Sequence, residues 1–136
     1  MMATSKGERK IFSILQGAGI KFETEKVFDV TGFKGRALPY DFYGTYNGEE
    51  FLIEFQGIEH YELVPFFHDK KSDFQKRQVY DERKISYALA HNIKLYCIPC
   101  WEIDDINTIE DVFAPAHLAT SKNHNYDAYR AHIAKT

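Results

Sequence analysis

A tight turn between two strand-forming segments constrains the fold of this chain more than any other feature. Asn47 and Gly48 are flanked by runs rich in aromatic and β-branched residues, Tyr40 to Tyr46 and Phe51 to Gln56. Asn and Gly readily adopt the positive φ angles that a two-residue type I′ turn requires. The pattern therefore predicts an antiparallel hairpin in which residues equidistant from the turn lie opposite each other.

The segments around the hairpin predict an α/β fold, with a mixed β-sheet flanked by helices in a single domain spanning residues 1–136. The spacing of apolar residues predicts helices at 5–17, 72–91, 106–113 and 125–134, and strands at 22–30 and 93–98. The helix at 72–91 would be a crossover, so the strand that follows it should run parallel to a central strand. The residues of this helix expected to point inward are Phe74, Val79, Ile85, Tyr87 and Leu89.

Composition narrows the class of protein only slightly. The formal net charge is -3 over 136 residues, which argues against a protein that passively coats nucleic acid. A nuclease is compatible with this charge, because carboxylates that bind metal lower the total. The sequence contains no signal peptide and no apolar run of about 20 residues, so we expect a soluble, cytoplasmic protein without a membrane partner.

Two acidic residues and an amide occupy matching positions on the predicted hairpin. The turn lies midway between Asp41 and Glu54, which places these two residues opposite each other. Glu54 and Gln56 should share one face of their strand and stay out of the core. Ile53 and Phe55 should point to the other face and enter the core. Oxygen ligands of this kind suit Mg²⁺, with Mn²⁺ as an alternative. The plainer interpretation is a solvated polar strand face.

The same residues resemble a known nuclease motif. Pro39-Tyr40-Asp41 followed by Ile53-Glu54-Phe55-Gln56-Gly57 is similar to the signature of the PD-(D/E)XK nucleases, an acid on one strand and acid-x-Lys on the next. Further segments resemble the branch that contains very short patch repair endonucleases and phage homing-type nucleases. These segments are Glu54 to Tyr61, Tyr80 to Lys84, Asn92 to Leu95 and Trp101-Glu102. The resemblance covers residues 5–104 and implies a restriction-endonuclease-like fold.

The resemblance also implies an active site. Its catalytic residues would be Glu8, Asp41, Glu54, Gln56, His60 and Asp81. Asp41 and Glu54 would bind the metal. Gln56 stands where the motif has lysine, and an amide cannot transfer a proton. His60 is therefore the expected general acid or base, because its ordinary pKa lies near neutrality.

Each of these residues has a purely structural alternative. Glu8 completes a capping box with Ser5, His60 can be an ordinary loop histidine, and Asp81 can be one more charge on a solvated helix. Lys84 follows Asp81 on nearly the same helix face, so it would either contact phosphate or pair with Asp81.

A set of basic residues near the predicted helix 72–91 is the candidate nucleic-acid contact. Its members are Lys34, Arg36, Lys70, Lys71, Lys76, Arg77 and Lys84. Nearby carboxylates dilute this charge, so a solvated helix of mixed charge is the alternative interpretation.

The sequence thus predicts an endonuclease that hydrolyses DNA phosphodiester bonds with Mg²⁺. The absence of the motif lysine leaves open a non-catalytic protein that keeps the fold to bind nucleic acid or a host protein. Branched or mismatched DNA and RNA remain open as substrates. A domain this small has little room for a separate recognition module, which favours limited specificity or help from a partner, and a homodimer also remains open.

Overall fold

The computed structural model describes residues 5–63 and 71–136. Four strands form one sheet in the order β1-β2-β3-β4, with antiparallel pairing of β1 with β2 and of β2 with β3, and parallel pairing of β3 with β4. The strands are β1 (Phe22–Lys26), β2 (Tyr40–Tyr46), β3 (Glu49–Gln56) and β4 (Lys94–Pro99). The predicted mixed sheet, its central hairpin and its parallel crossover strand are therefore confirmed.

The part of the chain that the structure describes contains four α-helices. They are α1 (Lys6–Gly17), α2 (Lys71–Ala90), α3 (Ile109–Val112) and α4 (His124–Ala134), and short 3₁₀ turns lie at Ile58–His60, Cys100–Asp105 and Pro115–His117. Across the described ranges, none of the helices combines the length and the apolar character needed to cross a membrane. The helix predicted at 106–113 is reduced to α3, because Ile106 is extended and Thr108 caps the helix, which begins at Ile109.

The hairpin has the predicted turn and register. Asn47 and Gly48 have φ angles of 52° and 79°, as a type I′ turn requires. Phe42 pairs with Ile53, so Asp41 and Glu54 are the next residues on either side.

Both faces of the sheet are covered. Neighbouring residues of a strand point to opposite faces, and here they enter two separate apolar clusters. One cluster joins Ile11 of α1 to Phe42 and Ile53, and the other joins Ile85 of α2 to Leu52. Helix α1 thus packs on one face and α2 on the other, which explains why a strand such as β3 is buried almost throughout.

The expectation that Glu54 and Gln56 stay out of the interior is wrong. Their exposed fractions are 4% and 2%, whereas Phe55 is only partly buried. The period-two argument assumed a solvated face, but α2 covers that face of β3. The two polar side chains are buried there because Lys84 and Tyr61 provide hydrogen-bond partners.

Two further details differ from the predictions. Leu89 is 40% exposed, and the buried residues of α2 are Asp81, Ile85 and Ala88. The buried stripe of α2 therefore includes an acidic side chain, which hydrophobic spacing alone does not identify. Strand β1 ends at Lys26 instead of Val30, next to Glu25, whose φ is 54°.

Gly7 allows α1 to lie directly against the sheet. A Cβ atom at this position would lie 2.3 Å from the ring of Phe55, so we expect Gly7→Ala to lower the free energy of unfolding by about 1–3 kcal/mol. Gly17→Ala in the same helix is the matched control, because a Cβ there meets nothing within 4 Å, and it should stabilise the helix by up to about 1 kcal/mol. Urea unfolding of both variants measures the difference, and equal shifts would contradict the close packing.

Candidate functional site

Strands β2 and β3 exchange side-chain hydrogen bonds at the point where their backbone ladder ends. Beyond the pair Phe42 and Ile53, an oxygen of Glu54 accepts a hydrogen bond from the Asp41 backbone N–H at 2.8 Å. In return, Oδ2 of Asp41 accepts a hydrogen bond from the Phe55 backbone N–H, also at 2.8 Å. Each carboxylate is therefore held in place by the backbone of the neighbouring strand, at one end of the sheet.

Asp41 also belongs to an acidic cluster that spans three elements. One carboxylate oxygen each from Glu8, Glu25 and Asp41 lie within 4.8 Å of one another. Glu8 comes from the first turn of α1, where Ser5 caps the helix by accepting a hydrogen bond from the Glu8 backbone N–H at 3.2 Å. Glu8 therefore takes part in the helix cap, as its structural alternative predicted, and it also lies in the acidic cluster.

The crowding of carboxylates disfavours their ionised form. Burial raises the pKa of Asp41 well above its ordinary value, and the charge of Glu54 raises it further, with Lys84 opposing both. Burial likewise raises the pKa of Glu8, against hydrogen bonds from Ser5 that lower it. A cation bound beside these acids would favour their ionised form and so oppose the rise in pKa.

Lys84 brings a positive charge to the same place from α2. Its Nζ forms an ion pair with Oε1 of Glu54, and the two side chains are 13% and 5% exposed. The partner of Lys84 is therefore Glu54 and not Asp81. Burial alone lowers the pKa of Lys84, but the neighbouring carboxylates, Glu54 first, outweigh it and leave the pKa raised. Lys84 is consequently a permanent ammonium at neutral pH.

A buried histidine–aspartate pair forms a further part of the site. Nδ1 of His60 lies 2.9 Å from Oδ2 of Asp81, and both residues are buried. The 3₁₀ turn fixes the backbone of His60, whose N–H donates to the Gly57 carbonyl at 3.1 Å, and Asp81 holds the ring. A carboxylate at Nδ1 favours the tautomer with the proton on that atom. Nε2, which lies 3.7 Å from the carboxylate of Glu59, is then left to accept a proton.

One cleft of about 530 Å³ collects these groups. Of the predicted catalytic residues, those that line it are Glu8, Asp41, Glu54, His60 and Asp81. Gln56 is not among the lining residues, and its Oε1 instead accepts a hydrogen bond from the Tyr61 hydroxyl at 2.7 Å. The acidic cluster, the Lys84 ammonium and the histidine pair therefore face one common space.

The predicted basic residues fall into three groups. Arg77 and Lys84 line the cleft itself. An adjoining groove of about 490 Å³ shares Leu38 and Tyr80 with the cleft, and its basic lining residues are Lys34, Arg36 and Lys76. Lys71 is exposed at the first residue of α2, and Lys70 lies outside the described residues.

The loop that carries Lys34 and Arg36 is attached to α2. The Arg83 guanidinium donates to the Thr31 carbonyl at 2.7 Å and lies 4.7 Å from the centre of the Phe33 ring. The backbone N–H of Phe33 donates to the Tyr80 hydroxyl at 3.3 Å. These contacts hold the basic loop beside the acidic cleft.

Glu25 and Glu59 line the cleft although the sequence did not single them out. Glu25 lies beside Asp41, between the pairs Thr24–Phe42 and Lys26–Tyr40. The alternation of side chains along β1 does not by itself show that Glu25 lies beside Asp41. That prediction also needs the register of β1 on β2. No tight turn connects those strands, so the sequence contains no local signal for that register.

Comparison with known proteins gives little further information. No protein-family model matches this chain, and no solved structure matches it. A stretch of 56 residues, 41% of the chain, is 34% identical to "Uncharacterized protein 307L" of Invertebrate iridescent virus 6. The matched stretch spans 28% of that viral protein, whose name states no activity.

Proposed function

We propose that this protein is a metal-dependent endonuclease that hydrolyses DNA phosphodiester bonds, with a restriction-endonuclease-like fold of the PD-(D/E)XK type. The proposal is carried by one observation. An acidic cluster, a buried lysine and a buried histidine–aspartate pair line the same cleft, which adjoins a basic groove. These are the groups that phosphodiester hydrolysis needs for cation binding, charge stabilisation and proton transfer.

The donors of the acidic cluster fit a hard divalent cation. Glu8, Glu25 and Asp41 offer carboxylate oxygens close enough to share one ion, and Mg²⁺ prefers such ligands. Burial first and the charge of Glu54 second raise the pKa of Asp41, and a bound cation would offset both effects by favouring the ionised carboxylate. When bound there, Mg²⁺ or Mn²⁺ would supply Lewis-acid stabilisation of the phosphate charge.

In this proposal the metal ligands differ in part from those suggested by the motif. Both oxygens of Glu54 already have protein partners, the Asp41 backbone N–H and the Lys84 ammonium. Glu8 and Glu25 therefore join Asp41 as the main ligands, and Glu54 positions Asp41 and Lys84.

His60 acts as the general base. Asp81 holds the ring through Nδ1, and Nε2 accepts the proton of a water molecule as the water oxygen attacks phosphorus. The P–O bond to the departing sugar oxygen breaks, and that oxygen takes up a proton from solvent. Lys84 cannot serve as the base because its raised pKa keeps it protonated.

Lys84 stabilises the negative charge that develops on the phosphate. Its ammonium lies in the cleft beside Glu54, and a fixed positive charge in a partly buried site acts strongly on a developing anion. It supplies from α2 the charge that Gln56 cannot supply from β3. The absence of the motif lysine was the argument for a non-catalytic binding protein. That argument is weaker because Lys84 can supply the missing charge.

A plasmid assay tests the proposal. We expect the purified protein to nick or linearise supercoiled DNA with Mg²⁺ or Mn²⁺, and EDTA should stop it. Glu8→Gln should slow cleavage because it removes a ligand charge, and His60→Asn should slow it by about 10²- to 10⁴-fold because it removes the base.

The control variant is Glu110→Gln, which changes an exposed carboxylate on α3. It should cut as fast as the unmodified protein, and this result would exclude a contaminating nuclease as the cause of the differences. Equal cutting by Glu8→Gln, His60→Asn and the control would contradict the proposal, as would the absence of metal-dependent cutting on linear, branched, mismatched and RNA substrates.

A further inference from the structure

A second, smaller cavity lies on the other side of the His60–Asp81 pair. Its volume is about 60 Å³, and it shares His60 and Asp81 with the large cleft. Its remaining lining residues come from the 3₁₀ turn region, α2 and the start of α4, and the polar ones central to the argument are Gln78, Lys122, Asn125 and Tyr126. The buried His60–Asp81 pair therefore lines both the large cleft and this smaller cavity.

Asn125 is the unusual residue of this cavity. Both Nδ2 and Oδ1 of its side chain are buried, and neither has a hydrogen-bond partner among residues 5–63 and 71–136. Buried amide groups are nearly always paired, since leaving a donor and an acceptor without partners is unfavourable. Its position on the cavity wall indicates a ligand that presents an acceptor and a donor side by side.

Aromatic rings lie next to this amide. The Tyr126 side chain is 59% exposed although it lines the cavity, and the Arg130 guanidinium lies 5.6 Å from the centre of its ring. Tyr129 also lines the cavity, stacked on Tyr61 with ring centres 5.8 Å apart and hydrogen-bonded to Glu62. Lys122, exposed in the preceding turn, adds a positive charge at the same cavity, which Glu82 lines with a negative one.

We infer that this cavity binds a single unstacked nucleobase of a nucleic acid whose backbone crosses the neighbouring cleft. An asparagine amide pairs with two adjacent polar atoms of a base edge, and a tyrosine ring stacks on a base face. Lys122 suits a phosphate at the mouth. The inference rests on the proposed function and specifies its substrate class, a nucleic acid with an unpaired or extruded nucleotide.

The volume agrees with one planar ring. A space of 60 Å³ corresponds to about four to six water positions at about 10–15 Å³ each. This is room for a single base but not for a base pair or a whole nucleotide. The sugar and phosphate would therefore remain outside, close to Tyr126 and Lys122.

Binding without cleavage tests this inference. We will compare a fully paired DNA duplex with the same duplex carrying one bulged nucleotide, each fluorescently labelled, and measure Kd in EDTA by anisotropy. The unmodified protein should bind the bulged duplex about tenfold more tightly. Asn125→Leu keeps the approximate size of the side chain but removes both polar atoms, and it should remove this preference while binding to the paired duplex stays constant.

Tyr126 supplies the matched pair of variants. Tyr126→Ala should lose most of the preference for the bulge, whereas Tyr126→Phe, which keeps the stacking ring, should retain it. Because Tyr126 is exposed, these variants test the inference even if Asn125→Leu fails to fold.

The outcomes separate this inference from the proposed function. Equal binding of the paired and bulged duplexes by the unmodified protein, or an unchanged preference in Asn125→Leu and Tyr126→Ala, would overturn the base site, whether or not the protein cuts DNA. A bulge preference that depends on Asn125 and Tyr126 in a protein that does not cut would uphold the base site and overturn the endonuclease proposal.

Discussion

Asp41→Asn is expected to abolish DNA cleavage and, without metal, to make the protein more stable at neutral pH. The asparagine oxygen can still accept the hydrogen bond from the Phe55 backbone N–H, so the local geometry is kept. The substitution removes one negative charge from a site where burial and Glu54 both disfavour it. Cleavage should fall by at least about a hundredfold, because a ligand and its charge are lost.

The gain in stability should depend on pH. The pKa of Asp41 is higher in the folded protein than in the unfolded chain, so the folded state binds the proton more tightly. The stability contributed by this group is fully present below the unfolded pKa, and it is lost as the pH rises through the folded pKa. Asp41→Asn lacks this loss, so its advantage should grow as the pH rises through the folded pKa and vanish near the ordinary pKa of an aspartate, about pH 4.

Urea unfolding in EDTA and in Mg²⁺ measures both effects. We expect Asp41→Asn to gain about 0.5–2 kcal/mol in EDTA near pH 7, the range typical of substitutions that relieve a functional site. Mg²⁺ should stabilise the unmodified protein, since a ligand bound to the folded state raises its stability, and should have a much smaller effect on the variant. Asp105→Asn, an exposed acid, is the control. A destabilised Asp41→Asn protein in EDTA would contradict the strain inferred at this site.

The hairpin and the pairing of Asp41 with Glu54 could be predicted from the sequence because they depend on local chemistry. Asn47 and Gly48 determine the turn, and the turn determines the register of every residue up to Phe42 and Ile53. The position of Glu8 could also be predicted from the sequence, because the Ser5 cap fixes where α1 begins and Glu8 lies in the first turn of that helix.

The remaining groups depend on contacts between distant segments. Glu25 joins the cluster only through the register of β1 on β2, and Lys84 reaches Glu54 only because α2 crosses that face of the sheet. Gln56 occupies the motif position, yet the Tyr61 hydroxyl engages its amide oxygen. The alternation of β3 therefore predicted correctly that Glu54 and Gln56 share one face of the strand. It did not predict that Glu54 lines the cleft and Gln56 does not.

Lys84→Met should be the most destabilising single change at the site. It keeps much of the apolar stem of the side chain but leaves the buried carboxylate of Glu54, 4% exposed, without its cation. Breaking a buried ion pair from one side costs about 3–5 kcal/mol, because an uncompensated charge stays in the interior. Lys94→Met is the matched control. Its ion pair with Glu49 at 3.0 Å is exposed on both sides, so the free energy of unfolding should hardly change.

A second substitution separates the structural role of Lys84 from its proposed chemical role. In Lys84→Met with Glu54→Gln, no buried charge remains at this pair, and the amide can still accept from the Asp41 backbone N–H. Most of the lost stability should therefore return, as a positive coupling energy in a double-mutant cycle. Cleavage per folded molecule should stay about 10²- to 10³-fold below that of the unmodified protein, since the ammonium that stabilises phosphate charge is absent. If cleavage recovered along with stability, Lys84 would serve the fold alone. The positive charge at the phosphate would then have to come from another residue of the cleft, and Arg77 also lines it.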